Sequence, residues 1–254
     1  MRISPKIIRQ ITQIALVLEP ILDKDGCTTR YTDLPDKSLK DFLIAAVNVG
    51  EIIEQHAEEV INGDGGIFLK LTEAMEASNE YKESKNINFG LLVFIFIAIK
   101  ARVMSSNVLE TINIMKTQLE TSTNKDVQDY MNGWKINIKT TTKNYKVQKT
   151  NENTKFFDEA TSLKVLFERG LKVFSNPKLT GYQFCKENVD GYPLLKKFVT
   201  EINEKQGIIT SLENTYDFIH RENPDLSVGM LADLCAAAFF LHLSFQNPKE
   251  YSIF

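Results

Sequence analysis

The sequence has little of what several common functions require. Its three cysteines, Cys27, Cys185 and Cys235, are too few and too scattered for a disulfide framework, and none stands at metal-ligand spacing from another. Three histidines, His56, His220 and His242, are equally dispersed, which excludes a zinc motif built from nearby residues. There is no G-x-x-x-x-G-K-[ST] loop, no G-x-G-x-x-G turn between a strand and a helix, and no G-x-S-x-G elbow. The common nucleotide-binding folds and the hydrolase nucleophile turn are therefore absent. The longest apolar run, "FGLLVFIFIAI" from Phe89 to Ile99, is too short to span a bilayer and reads as a buried helix. The opening "MRISPKIIRQ" lacks the apolar stretch of a signal peptide. A net charge of −3 gives no basic field for nucleic acid. These absences lead to the expectation of a soluble, cytoplasmic protein with reduced thiols and no nucleic-acid or membrane partner.

What is present is helical patterning over a sizeable core. The chain has 254 residues, 43% hydrophobic and 25% charged, as expected of one globular domain. "SPKIIRQITQIALVLEPIL" opens with Ser4 as N-cap and Pro5 at the first helical position; Ile7, Ile8, Ile11, Ile14, Ala15 and Leu18 then follow a 3.6-residue stripe. "SLKDFLIAAVNVGEIIEQHAEEVIN" reads as one further helix, opened by a Ser38–Asp41 capping box and ending at Asn62-Gly63. Further helices are predicted near 66–78, 88–103, 106–121, 154–175, 191–204, 207–221 and 227–245. The one β-branched stretch, "KINIKTTTKNYKVQKT" at 135–150, carries five lysines and no acid; it fits a hairpin, an exposed helix or a mobile loop. No repeat or Pro/Ser-rich linker divides the chain. The fold expected is all-α, a single-domain, multi-helix, bundle-like arrangement over residues 1–254 with a lysine-rich excursion at about 135–150.

Three polar interruptions could carry chemistry. "DKDGCTTRYTDLPD" at 23–36 concentrates charge between two apolar segments. It is either a solvated turn or the edge of a phosphate and metal site, and acids just before Ser38 also favour a helix start. "NINFG" at 86–90 puts Asn86 and Asn88 before the most apolar helix, either as simple caps or where free N–H groups meet a phosphate. "GMLADLCAA" at 229–237 places Asp233 inside an otherwise apolar helix. A carboxylate there needs a partner: it accepts hydrogen bonds from a neighbouring helix end or faces a metal-lined cavity.

Together these stretches resemble the triphosphoribosyl-dephospho-CoA synthase family, above all its shorter archaeal relatives. The family pattern P-K-P-G-N-V-H-R-x-x-D-x-x-D is matched by Lys24, Gly26, Arg30, Asp33 and Asp36; its N-T-N-L-G by Asn86, Asn88 and Gly90; its late G-T-T-A-D-L-x-A-A by Gly229, Ala232 and Asp233. Asp23 and Asp25 replace two prolines, Thr29 a histidine and Ile87 a threonine, and the central P-G-G-L-G loop is absent, with the lysine-rich segment roughly in its place.

The resemblance implies an all-helical, nucleotide-dependent transferase that moves the triphosphoribosyl group of ATP to a dephospho-CoA-like acceptor and releases adenine, with Mg²⁺ on the triphosphate. It implies catalytic roles for Asp33, Asp36 and Asp233, with Asp33 and Asp36 also at the metal. Lys24, Gly26, Arg30, Asn86, Asn88 and Gly90 would bind the nucleotide. The alternative is an inactive relative kept as a nucleotide-binding or protein-partner subunit.

Overall fold

Two segments of the chain are apolar on every side, and the architecture follows from hiding them. The computed structural model describes residues 3–63, 65–80, 87–141, 159–203 and 206–246, except for the side chains of 139–141. The described residues form twelve helices and no strand: α1 (Pro5–Ile21), α2 (Leu39–Asn48), α3 (Gly50–Asn62), α4 (Leu71–Asn79), α5 (Phe89–Val103), α6 (Val108–Thr121), α7 (Asn124–Thr141), α8 (Leu163–Phe174), α9 (Thr180–Val189), α10 (Pro193–Glu201), α11 (Ile208–Glu222) and α12 (Val228–Leu243). The all-α expectation holds.

Helices α5 and α12 are the apolar pair, with nearly every side chain from Leu91 to Ile99 and from Met230 to Leu243 buried. A helix without a polar face must be surrounded. The two pack on each other, and α1, α3, α6, α10 and α11 close around them, each offering one apolar stripe.

Their relative direction can be read from two contacts. Asp233, near the start of α12, accepts a hydrogen bond from the Leu91 N–H at the start of α5. At the other end, Arg102 Nε and Nη2 donate to the Ser244 carbonyl at 3.0 and 2.9 Å, and the guanidinium stacks 3.7 Å over Phe245. The central helices therefore run parallel, with both N-termini at one end of the core. Partly positive helix ends thus meet at one place.

The expected caps form: Ser4 Oγ accepts from Ile7 N–H at 3.3 Å, and Ser38 and Asp41 close their box. The helix expected over 38–62 is instead two, broken at Val49. Gln13 of α1 reaches into the break and donates to the Ala46 and Val47 carbonyls at 3.2 and 3.4 Å. A Cβ on Gly50 would overlap that amide, so the glycine admits Gln13 and α1 closes on the bend. α9 and the first part of α7 were not anticipated; residues 135–141 of the β-branched stretch continue α7, the helical alternative for it, and the remainder, 142–150, lies outside the described residues. Among the described residues, no single helix is long and apolar enough to cross a membrane.

Candidate functional site

The end of the core where α5 and α12 begin encloses a cavity of about 490 Å³. Its walls come from the last turn of α1, the 26–37 connection and the N-terminal residues of α5, α9 and α12. An aromatic side completes it: Phe89, Tyr130, Phe167 and Phe184 are in sequential ring contact at 5.9, 5.4 and 5.8 Å, with Trp134 beside them. Flat, apolar faces beside helix N-termini suit a ligand that is aromatic at one end and anionic at the other.

Asp233 is the carboxyl on which this cavity turns. It is partly exposed, lines the space, and lies so close to α5 that a Cβ on Gly90 would overlap its Oδ2. Gly90 is glycine for that approach. Burial, reinforced by the negative charge of Glu19, pushes the Asp233 carboxyl up to about 8; Lys37, Lys24 and the Leu91 N–H pull it only part of the way back. At neutral pH it is mostly protonated. It pairs with a helix end, one of the two expectations, and it also faces a cavity, at which no group of three His, Cys, Asp or Glu is placed to hold a metal among the described residues.

Asn88 lines the same cavity, with backbone φ of 65°, the left-handed region that asparagine tolerates better than most residues. Its side chain is 6% exposed, lines the cavity, and has neither amide atom hydrogen-bonded among the described residues. A buried amide without partners costs stability, and among the described residues this one leaves both its donor and its acceptor unused.

The 22–28 loop is fixed from behind by α11. Asp23 N–H donates to Glu213 Oε1 at 2.9 Å, and the Tyr216 hydroxyl donates to the Asp25 carbonyl at 3.1 Å. Gly26, at φ 79°, turns the chain against Val228 and brings Cys27 and Thr28 to the cavity. Lys24 does not reach the cavity. Its ammonium is fully buried and bonds the carbonyl and, at 3.2 Å, the Oε1 of Glu19. Burial, the largest single influence, lowers its pKa, but the charge and hydrogen bond of Glu19 together with Cys235 and Cys27 more than offset it and hold the lysine raised. Glu19, rather than Lys24, lines the cavity.

Gly26, Asn88, Gly90 and Asp233 are thus brought together. Arg30, Asp33 and Asp36 are not; they stand exposed on the turn that flanks the lining residues Thr28, Leu34 and Lys37. Arg30 stacks over Tyr31 at 4.8 Å, and Asp33 Oδ1 accepts from the Leu39 N–H at 2.7 Å, capping α2. Among the described residues no group of three His, Cys, Asp or Glu is placed to hold a metal. Asn86 lies outside the described residues. Glu19 was missed because the stripe of α1 accounted for its neighbours, although a lone acid in "IALVLEPIL" was the available signal.

A model of the family described as ATP:dephospho-CoA triphosphoribosyl transferase matches residues 5–167. That span runs from α1 into α8 and contains Glu19, Lys24, Asn88 and Gly90; Asp233 lies beyond it. Comparisons with curated proteins and with solved structures give no match.

Proposed function

The chain belongs to the ATP:dephospho-CoA triphosphoribosyl transferase family, and on that premise we propose that it transfers the triphosphoribosyl group of ATP to a ribose hydroxyl of dephospho-CoA or a close analogue, releasing adenine. The observation that carries the proposal is a carboxyl, Asp233, held protonated near neutrality inside a cavity made of aromatic rings and helix N-termini.

The reaction breaks the bond between the anomeric carbon and adenine and forms one from that carbon to the acceptor oxygen. Adenine is a poor leaving group as an anion, so a proton supplied to its ring as the bond opens lowers the barrier; general acids of this kind contribute about 10²–10⁴-fold. In this reading Asp233 supplies that proton. The aromatic side takes the base, and the Asn88 amide, a donor and an acceptor together, orients the nucleotide. Helix N-termini and the Lys37 ammonium receive phosphate. Gly90 admits the Asp233 carboxyl to the start of α5, and Gly26 lets the 22–28 loop turn beside Val228 at the cavity edge.

Mg²⁺ enters here as the counter-ion of the triphosphate, with most of its shell from phosphate and water. Arg30, Asp33 and Asp36 are assigned contacts to the outer phosphates and that ion from the exposed turn. Lys24 and Asn86 remain proposals of the resemblance, Lys24 acting from behind Glu19. Three free thiols and ATP as substrate support a cytoplasmic setting.

One observation favours a second reading, a nucleotide-binding subunit without turnover. Arg30, Asp33 and Asp36 stand outside the cavity lining. Chromatographic measurement of adenine release from Mg-ATP with dephospho-CoA separates the two. Transferase activity gives acceptor-dependent release that Asp233→Asn removes while ATP binding persists. Binding without release in the unaltered protein favours the second reading.

A further inference from the structure

Glu19 belongs to none of the residue patterns that tie this chain to its family resemblance, yet it is placed where the reaction needs a second carboxylate. It lines the same cavity as Asp233 and is 6% exposed. Its Oε1 faces the buried Lys24 ammonium at 3.2 Å, while its Oε2 is buried with no hydrogen-bond partner among the described residues. The two carboxyls are also close enough for Glu19 to be the leading charge acting on Asp233. The ion pair uses one oxygen and leaves the other over; burying an unpartnered carboxylate oxygen is costly unless something meets it.

We propose that Glu19 is a catalytic residue whose free oxygen faces the anomeric centre and takes the proton of the attacking hydroxyl, and that Lys24 is a positioning residue acting through it. The inference rests on the transferase reading above. Displacement at an anomeric carbon passes through a cation-like ring, which a neighbouring carboxylate stabilises. The steps balance. The bond to adenine breaks with its electron pair leaving on the base, and the Asp233 proton goes to a ring nitrogen. The acceptor oxygen bonds the carbon and gives its proton to Glu19 Oε2. Glu19 ends protonated and Asp233 ionised, and one proton passing between them restores the start. This division gives Lys24 a role different from phosphate binding, because a fully enclosed ammonium bonded to Glu19 has no free face toward the nucleotide.

The test compares Glu19→Gln, Glu19→Asp and Lys24→Met with the parent by melting temperature, calorimetric ATP affinity and steady-state adenine release. Glu19→Gln is expected to keep the ATP affinity within about 3-fold and the KM for ATP little changed while kcat falls about 100-fold or more. Glu19→Asp, which keeps the charge, is expected to fall between. Lys24→Met should lower kcat without weakening ATP binding, as a phosphate ligand would not. If Glu19→Gln does not fold, the double variant Glu19→Gln/Lys24→Met removes the unpaired ammonium and is read in its place. Added formate should restore part of the release in folded Glu19→Ala, a response a purely structural glutamate would not give. A folded Glu19→Gln that turns over within about 3-fold of an active parent overturns the inference alone. A parent that binds ATP but releases no adenine overturns the transferase reading, and the inference with it.

Discussion

If Asp233 holds a proton in the folded protein that it lacks when unfolded, stability must fall as pH rises through its folded value. In the unfolded chain its carboxyl titrates at the ordinary 3.8; in the fold, burial and Glu19 raise it to about 8. Between those values the folded state binds one proton more than the unfolded state, so the contribution is complete below about pH 4 and is lost as pH approaches and passes 8. At about 1.36 kcal/mol per pH unit, moving from about pH 6 to about pH 8.5 removes about 2.5 kcal/mol. Water in the cavity screens a partly exposed group, so about 1–2 kcal/mol is the expected loss. Asp233→Asn keeps the acceptor for the Leu91 N–H but cannot ionise, and its loss over the same interval should be smaller by that amount. Glu187, which burial raises to about 7, has the same sign of effect and is common to both proteins, so the difference isolates Asp233. Urea unfolding of both proteins at the two pH values measures it. Equal losses in parent and variant would refute the buried, protonated carboxyl.

Two substitutions probe the same corner. Gly90→Ala places a methyl group on Asp233 Oδ2 and is expected to cost about 1–3 kcal/mol in denaturant unfolding, with a larger loss of adenine release; a variant as stable and active as the parent would mean the contact is not tight. Asn88→Gly relieves the positive φ but removes the amide. Stability should stay within about 1 kcal/mol of the parent while ATP affinity drops about tenfold by calorimetry, and unchanged affinity would remove Asn88 from the site.

Much of the fold was legible because burial leaves a period in the sequence. The stripes of α1, α3 and α11 announced their helices, and the uninterrupted apolar runs of α5 and α12 announced the centre. The break at Val49 was not legible, since it depends on Gln13, thirty-odd residues away, inserting over Gly50. α7 was obscured by its β-branched residues, whose strand preference is overridden by packing against α4. In the site, Asp233 stood out as a lone acid in an apolar helix. Glu19 carried the same signal and was hidden by the regularity of α1. Exposed charge at 30–36 attracted attention because it was dense, yet Asp33 uses that charge to cap α2, and density alone does not say which way a side chain faces.

The central claim is that this chain makes a covalent bond between the sugar of ATP and its acceptor. Mass spectrometry of dephospho-CoA after incubation with Mg-ATP tests it most directly. The account predicts an acceptor heavier by one triphosphoribosyl group, appearing in step with free adenine and absent with Asp233→Asn. An unmodified acceptor beside a protein that binds ATP in calorimetry would contradict it.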